Sequence, residues 1–153
     1  MKLVDYLTPD RIILDLKSTG KWEVLRELSE FARQAGLVED SDLLYEGLEA
    51  REKLISTGIG EGVAIPHTRY KGLDRIFLLI GRSAAGVDFD SLDGKAVHLF
   101  ITIVGPEESD KDQLKILSRT ARLLKHTDLR QRLFSTRTQS EVLDCFRREE
   151  TSS

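Results

Sequence analysis

Two stretches of this chain are apolar at nearly every position, Ile76-Phe77-Leu78-Leu79-Ile80 and Ala96 to Val104. A strand with one face in water alternates apolar and polar residues, so runs like these predict strands covered on both faces. Neither run approaches the ~20 apolar residues of a membrane span. The rest of the chain must therefore supply two covering layers, and its periodicity is helical. Trp22, Leu25, Leu28 and Ala32 recur at helical spacing, with Gly36 as the C-terminal stop. A second helix is expected to start near Asp40 or Ser41, carry Leu43, Leu44 and Leu48 inward, and end near Glu52-Lys53. From Ser109 onward Leu114, Leu117, Ala121 and Leu124 make one helical face, widened by Ile116 and Leu123. A short helix over 127–134 follows. Thr138 with Glu141 forms a capping box that opens a last helix through Val142, Leu143 and Phe146.

Two further strands complete the order. Arg11 to Lys17 follows the turn Thr8-Pro9-Asp10, and Val63-Ala64-Ile65 is stopped by Pro66. The expected architecture is α/β, a three-layer α/β/α arrangement with element order β-αα-βββ-ααα. With 153 residues the chain fits a single domain. Such a domain buries roughly 70% of its unfolded surface and needs no disulfide or metal to fold. Residues 1–148 are read as that domain and 149–153 as a frayed tail. Cys145, the sole cysteine, is read as a buried small hydrophobe.

Charge excludes some functions. The net charge is −3, with no long run of one sign, which argues against a nucleic-acid binder. The N-terminus lacks the apolar stretch of a signal peptide, so a soluble cytoplasmic protein without membrane insertion is expected. Asp88, Asp90 and Asp93 are read as a plain turn rather than a calcium loop, because Phe89 and Leu92 interrupt them. No spacing makes His67, His98 and His126 a metal site, and no metal or cofactor is expected.

The chemistry-bearing stretch runs from Arg51 to His67. Its loop, Ser56-Thr57-Gly58-Ile59-Gly60-Glu61-Gly62, can turn sharply and present backbone N–H groups to an anion. Ser56 and Thr57 add hydroxyl donors. Pro66 fixes its own φ and pushes Ile65 into an extended conformation, so His67 is expected at the rigid end of a strand. A neutral imidazole has one nitrogen free to attack while the other is held. Phosphoryl transfer demands chiefly positioning and charge stabilisation, which the guanidinium of Arg51 suits. On its residues alone the stretch also fits a structural histidine, a ligand-free bend, and an arginine capping helix carbonyls.

The pattern Arg-Glu-(five residues)-Gly-Ile-Gly-x-Gly-Val-Ala-Ile-Pro-His resembles the signature of the fructose/mannitol and nitrogen-regulatory group of phosphotransferase-system enzyme IIA proteins. Phe89 to Val97, Val104-Gly105-Pro106 and the helix around 114–124 extend the resemblance over most of the chain. The resemblance implies an enzyme IIA type-2 domain with a small mixed sheet between helix layers. It implies that His67 accepts phosphate from the histidine phosphocarrier protein HPr and that Arg51 stabilises it. Ser56, Thr57, Gly58, Thr68 and Gln113 are the expected supports of the phosphoryl group.

Two positions depart from the group's pattern. Gln113 stands where a second histidine is common, and its amide can hydrogen-bond a phosphoryl oxygen but never become cationic. Thr68 stands where a very small residue is usual. Three functions follow. The first is a phosphoryl carrier with a regulatory output on target proteins. The second is a sugar-specific IIA that passes phosphate to a IIB subunit. The third is a binding module that keeps the fold without transfer.

Overall fold

A computed structural model describes residues 1–152. Its six strands form one mixed sheet in the order β1-β5-β6-β3-β2, with β4 also paired to β6. The strands are β1 (Ile12–Ile13), β2 (Gly58–Gly60), β3 (Val63–Ala64), β4 (His67–Arg69), β5 (Phe77–Val87) and β6 (Val97–Gly105). The helices are α1 (Lys21–Gln34), α2 (Ser41–Leu54), α3 (Asp110–His126), α4 (Leu129–Phe134) and α5 (Gln139–Ser152). No helix among the described residues is long and apolar enough to cross a membrane.

The two apolar runs are β5 and β6, paired antiparallel at the centre. Alternate residues feed two cores, as the period of a strand requires. Leu78, Ile80, Leu99, Ile101 and Ile103 meet Ile116, Leu124, Leu133 and Phe146 on one side. Phe77, Leu79, Phe100 and Val104 meet Val24, Leu28, Leu44 and Leu48 on the other. The α/β/α layering follows, with α1 and α2 on one face and α3, α4 and α5 on the other.

Local stop and start signals hold. Gly36 takes φ +76° at the end of α1, and Leu37 N–H donates back to the Ala32 carbonyl. Asp40 accepts from the N–H groups of Asp42 and Leu43 at the head of α2. The Glu141 N–H donates to Thr138 Oγ1 at 3.1 Å.

Several expectations are corrected. The strand read over Arg11 to Lys17 is reduced to Ile12–Ile13, because a 3-10 turn over Pro9–Arg11 takes its start. Five strands, rather than three, separate α2 from α3, because β2 and β4 form from the glycine loop and from the segment after Pro66. The buried face of α3 is turned from the one expected. Gln113, Ile116, Thr120, Leu123 and Leu124 are buried, while Leu114 is 64% exposed. Trp22 and Leu43 lie at the surface. Cys145 is half-buried, and burial pushes its thiol above the ordinary value.

The frayed tail is also corrected. Helix α5 continues through it to Ser152, and Glu150 is buried. Its carboxylate accepts from the backbone N–H of Leu3 at 2.7 Å and of Val4 at 3.0 Å, and from Arg119 Nε at 2.7 Å. Chain start and chain end are thus clasped by one charged group. Glu150→Ala strands those donors and is expected to lower the free energy of unfolding by about 3 kcal/mol. Urea titration measures it, and an unchanged midpoint would mean that the clasp contributes nothing.

Candidate active site

Strands β3 and β4 lie end to end along the same edge of β6, both parallel to it. Val63 and Ala64 pair with Leu99 and Phe100, and His67 to Arg69 pair with Ile103 to Gly105. Between them Pro66 has no N–H to give, but its carbonyl accepts from Ile103 N–H at 2.9 Å. His67 is therefore held on the sheet by backbone bonds on both sides of the interruption.

Helix α2 brings Arg51 to it. Gly47 precedes Arg51 by one turn on the same helix face. A Cβ at Gly47 would lie 2.6 Å from Thr68 Oγ1, so glycine is what lets this helix approach β4. The guanidinium then reaches His67, with Nε donating to Nε2 of the ring at 3.2 Å. Its Nη1 donates to the Ile55 carbonyl at 2.8 Å, just past the end of α2. One side chain thus caps a carbonyl beyond the helix end, as one reading of Arg51 expected, and also contacts the imidazole.

The ring's other nitrogen, Nδ1, lies 2.9 Å from the Ile65 carbonyl oxygen. A carbonyl only accepts, so Nδ1 carries the proton and Nε2 the lone pair. The Arg51 donor at Nε2 requires the same tautomer. Burial pushes the imidazole below its ordinary value of 6.5. The Arg51 charge acts in the same direction, while the bond to Ile65 and the Glu52 charge oppose it. The ring is neutral at pH 7.

His67 opens, with Asp110, Gln113, Leu114 and Leu117, onto a hollow of about 300 Å³. The exposed Leu114 that broke the expected α3 face is thus part of this rim. Asp110 is the one carboxylate there, and Arg69 Nε lies 3.7 Å from it. Gln113 reaches the hollow, but its amide nitrogen donates to the Thr68 carbonyl at 3.1 Å and to Ser109 Oγ at 2.9 Å. Both amide hydrogens are engaged within the protein, so the expected donation to a phosphoryl oxygen is corrected to a tie between β4 and α3.

The remaining expected supports point elsewhere. Ser56 Oγ donates to the Phe89 carbonyl at 2.8 Å. Thr57 Oγ1 donates to Glu52 at 2.6 Å. The Gly58 carbonyl accepts from Leu92 N–H at 3.3 Å, and Ser91 fills the space where a side chain would be. The Thr68 hydroxyl lies against Gly47. Ser56 and Gly58 fix the loop against 88–94, Thr57 is tied to α2, Thr68 packs on α2, and none of the four lines the hollow. His98 stands apart, its Nδ1 on the Ser83 carbonyl and its ring edge-on to Phe134.

One residue at this site escaped the sequence reading. Glu52 follows Leu44 and Leu48 at intervals of four, on the apolar face of α2, and is buried with them. A carboxylate on a buried stripe is costly unless paired, and that position was the available signal. Its partner, Lys21 at the head of α1, lies 3.0 Å away.

The family model for the phosphoenolpyruvate-dependent sugar phosphotransferase system, EIIA 2, matches residues 5–149. The nitrogen regulatory protein of Bradyrhizobium diazoefficiens is 38% identical over 90% of this chain and 89% of its own length. The fructose-specific EIIABC component of Bacillus subtilis is 35% identical over 94% of this chain, which spans only 23% of that larger protein. The crystal structure of the nitrogen regulatory protein IIA-Ntr from Neisseria meningitidis superposes with a TM-score of 0.85 at 32% identity, covering 94% of this chain and 97% of that one. The same arrangement of helices around a mixed sheet recurs there, and this chain belongs to the EIIA 2 family, the phosphocarrier components of the phosphotransferase system.

Proposed function

We propose that the chain relays a phosphoryl group through Nε2 of His67, taking it from an HPr-type phosphohistidine carrier, and that its phosphorylation state sets a regulatory output. The observation that carries this reading is the opposite use of the two ring nitrogens. Nδ1 is tied to the Ile65 carbonyl at 2.9 Å, and Nε2 faces the Arg51 guanidinium at 3.2 Å.

In the transfer step the Nε2 lone pair attacks phosphorus. A P–Nε2 bond forms while the donor's P–N bond breaks, and its electron pair stays on the donor nitrogen. The Nδ1 proton stays on the ring, held by Ile65. Because the lone pair is then committed to phosphorus, Arg51 Nε loses its acceptor and turns to a phosphoryl oxygen. Its Nη2, which makes no hydrogen bond among the described residues, adds a second donor. Guanidinium is suited to such bidentate contact. The hydrogen bond is worth about 1.5–3 kcal/mol to a charged acceptor, enough to hold the group but not to trap it.

The regulatory output is supported by the Ser56-Thr57-Gly58-Ile59-Gly60 form of the loop and by the likeness to nitrogen regulatory proteins. The likeness to a fructose-specific component favours a second reading, transfer to a sugar IIB subunit. A cytoplasmic location belongs to either. Incubation of the phosphorylated protein with a fructose-type IIB separates them, since rapid loss of label supports transport and retention supports regulation.

With phosphoenolpyruvate, enzyme I and HPr, wild type is expected to gain an acid-labile phosphate and His67→Ala none. Equal labelling of the two would end the proposal, and no label on wild type would leave the third reading, a binding module that keeps the fold without transfer. Arg51→Ala is expected to slow uptake by about 10- to 100-fold, the equivalent of one charge-assisted hydrogen bond.

The lowered imidazole value fixes a pH dependence. Well above pH 6.5, the ordinary value, both the folded and the unfolded ring are neutral. As pH falls through that value the unfolded chain binds the proton first, so folding stability declines until the folded ring protonates too. His67→Ala should remove this part of the acid-side slope, as read from denaturation at a series of pH values. In the folded protein, NMR titration should find the His67 midpoint below 6.5 and moved upward by Arg51→Gln.

A further inference from the structure

Beneath the glycine loop lies a buried ion pair that does not reach the hollow at His67. The Glu52 carboxylate accepts from Thr57 N–H at 3.0 Å and from Thr57 Oγ1 at 2.6 Å. Lys21 Nζ stands 3.0 Å from its other side, with side-chain exposures of 11% for the lysine and 1% for the glutamate. The same ammonium lies 3.3 Å from Asp90 and 5.0 Å from the Phe89 ring centroid. It therefore joins the head of α1, the end of α2 and the segment after β5.

From Thr57 the connection runs on to the imidazole. The Thr57 carbonyl accepts from Ile65 N–H at 2.9 Å. The Ile65 carbonyl in turn is the acceptor for His67 Nδ1 at 2.9 Å. Pro66 supplies no N–H, so the Ile65 amide is the last donor before His67, and it extends the β2–β3 pairing of the loop toward the imidazole. Glu52 also adjoins Arg51 on the last turn of α2. The carboxylate is thus linked through Thr57 to the strand that carries the imidazole, and its residue lies on the helix turn that carries the guanidinium.

We infer that the Lys21–Glu52 pair is a positioning element for phosphoryl transfer, setting the tautomer and placement of the His67 ring against Arg51 through Thr57 and Ile65. The inference rests on His67 being the acceptor. A carboxylate suits the task because its two oxygens accept several donors at once in short charge-assisted bonds. Lys21 offsets the burial of that charge. A glutamine there has one acceptor oxygen, so it cannot satisfy the Thr57 donors and Lys21 together. A loosened Thr57 releases Ile65, and the ring gains access to the other tautomer, in which Nε2 carries the proton and has no lone pair.

The test compares wild type, Glu52→Gln, Thr57→Val and Thr57→Ser. Imidazole ¹⁵N shifts read the tautomer, phosphorylated HPr measures uptake, and thermal melting reports folding. In Glu52→Gln the Nε2–H tautomer should appear, and uptake should fall about tenfold or more, since small misplacements carry penalties of this size. Thr57→Val, which keeps the ion pair, should shift both readouts in the same direction, and Thr57→Ser, which keeps the hydroxyl, should restore them. Should Glu52→Gln not fold, the two Thr57 variants decide. Folded variants with lower melting temperatures but the wild-type tautomer and uptake would overturn the inference, because that is what a merely structural pair would give. If wild type itself takes no phosphoryl group, the acceptor reading fails, and the tautomer measurement still decides the positioning of the ring.

Discussion

Strand β6 uses its hydrogen-bonding capacity along both edges, and the rest of the molecule hangs on that double use. One edge pairs antiparallel with β5, and the other takes β3 and β4 in succession, both parallel. A parallel neighbour needs a crossover, whereas an antiparallel one needs only a turn. The chain therefore reaches β6 after the 88–94 turn, when the glycine hairpin and the His67 segment are already placed to receive it. The two faces of β6 are filled by different helix layers. Displacing this strand would move the imidazole, both cores and the helix that bears Gln113 together.

The site sets a neutral imidazole against a permanent cation, and burial makes the combination workable. An imidazolium beside Arg51 would face like charge and desolvation together, so the folded state favours the unprotonated ring. On the proposed reading, the same cation that disfavours a proton on Nε2 would favour a phosphoryl group there, because that group brings negative charge. Discrimination between the two thus needs no movement of the backbone. Ile65 holds the opposite nitrogen, so in the proposed transfer attack would leave the ring proton where it is. Gln113 cannot share the charge, and its ties to Thr68 and Ser109 make it a brace between β4 and α3. Arg51 is the cation that contacts the imidazole.

Much of the architecture was legible because burial leaves a pattern in the sequence. The uninterrupted apolar runs of β5 and β6 announced a sheet covered on both sides, and Gly36, Asp40 and Thr138 marked helix ends. Misreadings have specific causes. Leu114 was read inward because it is apolar and in phase with Leu117 and Leu124, yet it is needed at the rim of the hollow and stays in water. Short strands such as β2 and β4 have little pattern of their own and exist because β6 and β3 offer them partners. The end of α5 looked polar and frayed, but Glu150 finds two backbone donors at the other end of the chain and a third in Arg119, a pairing no local window contains. Glu52 was passed over for the same reason, since Lys21 lies far before it in the sequence.

The residues alone pointed to a histidine in extended chain just after a proline, beyond a loop of permissive glycines and a helix end that carries an arginine. Those properties are local, set by proline's ring, glycine's missing side chain and helical spacing. They also determined the family, through the order of constrained positions from Arg51 to His67. Tertiary structure alone decided which hydroxyls face the imidazole and which are absorbed by the protein. Ser56, Thr57 and Thr68 lie close to His67 along the chain, but Phe89, Glu52 and Gly47 claim their side chains. A hydrogen bond is decided by direction and distance in three dimensions, and neighbours in sequence can point to opposite sides of a sheet. The tautomer of His67 belongs to the same category, because it depends on a carbonyl and a guanidinium brought to the ring from two different elements.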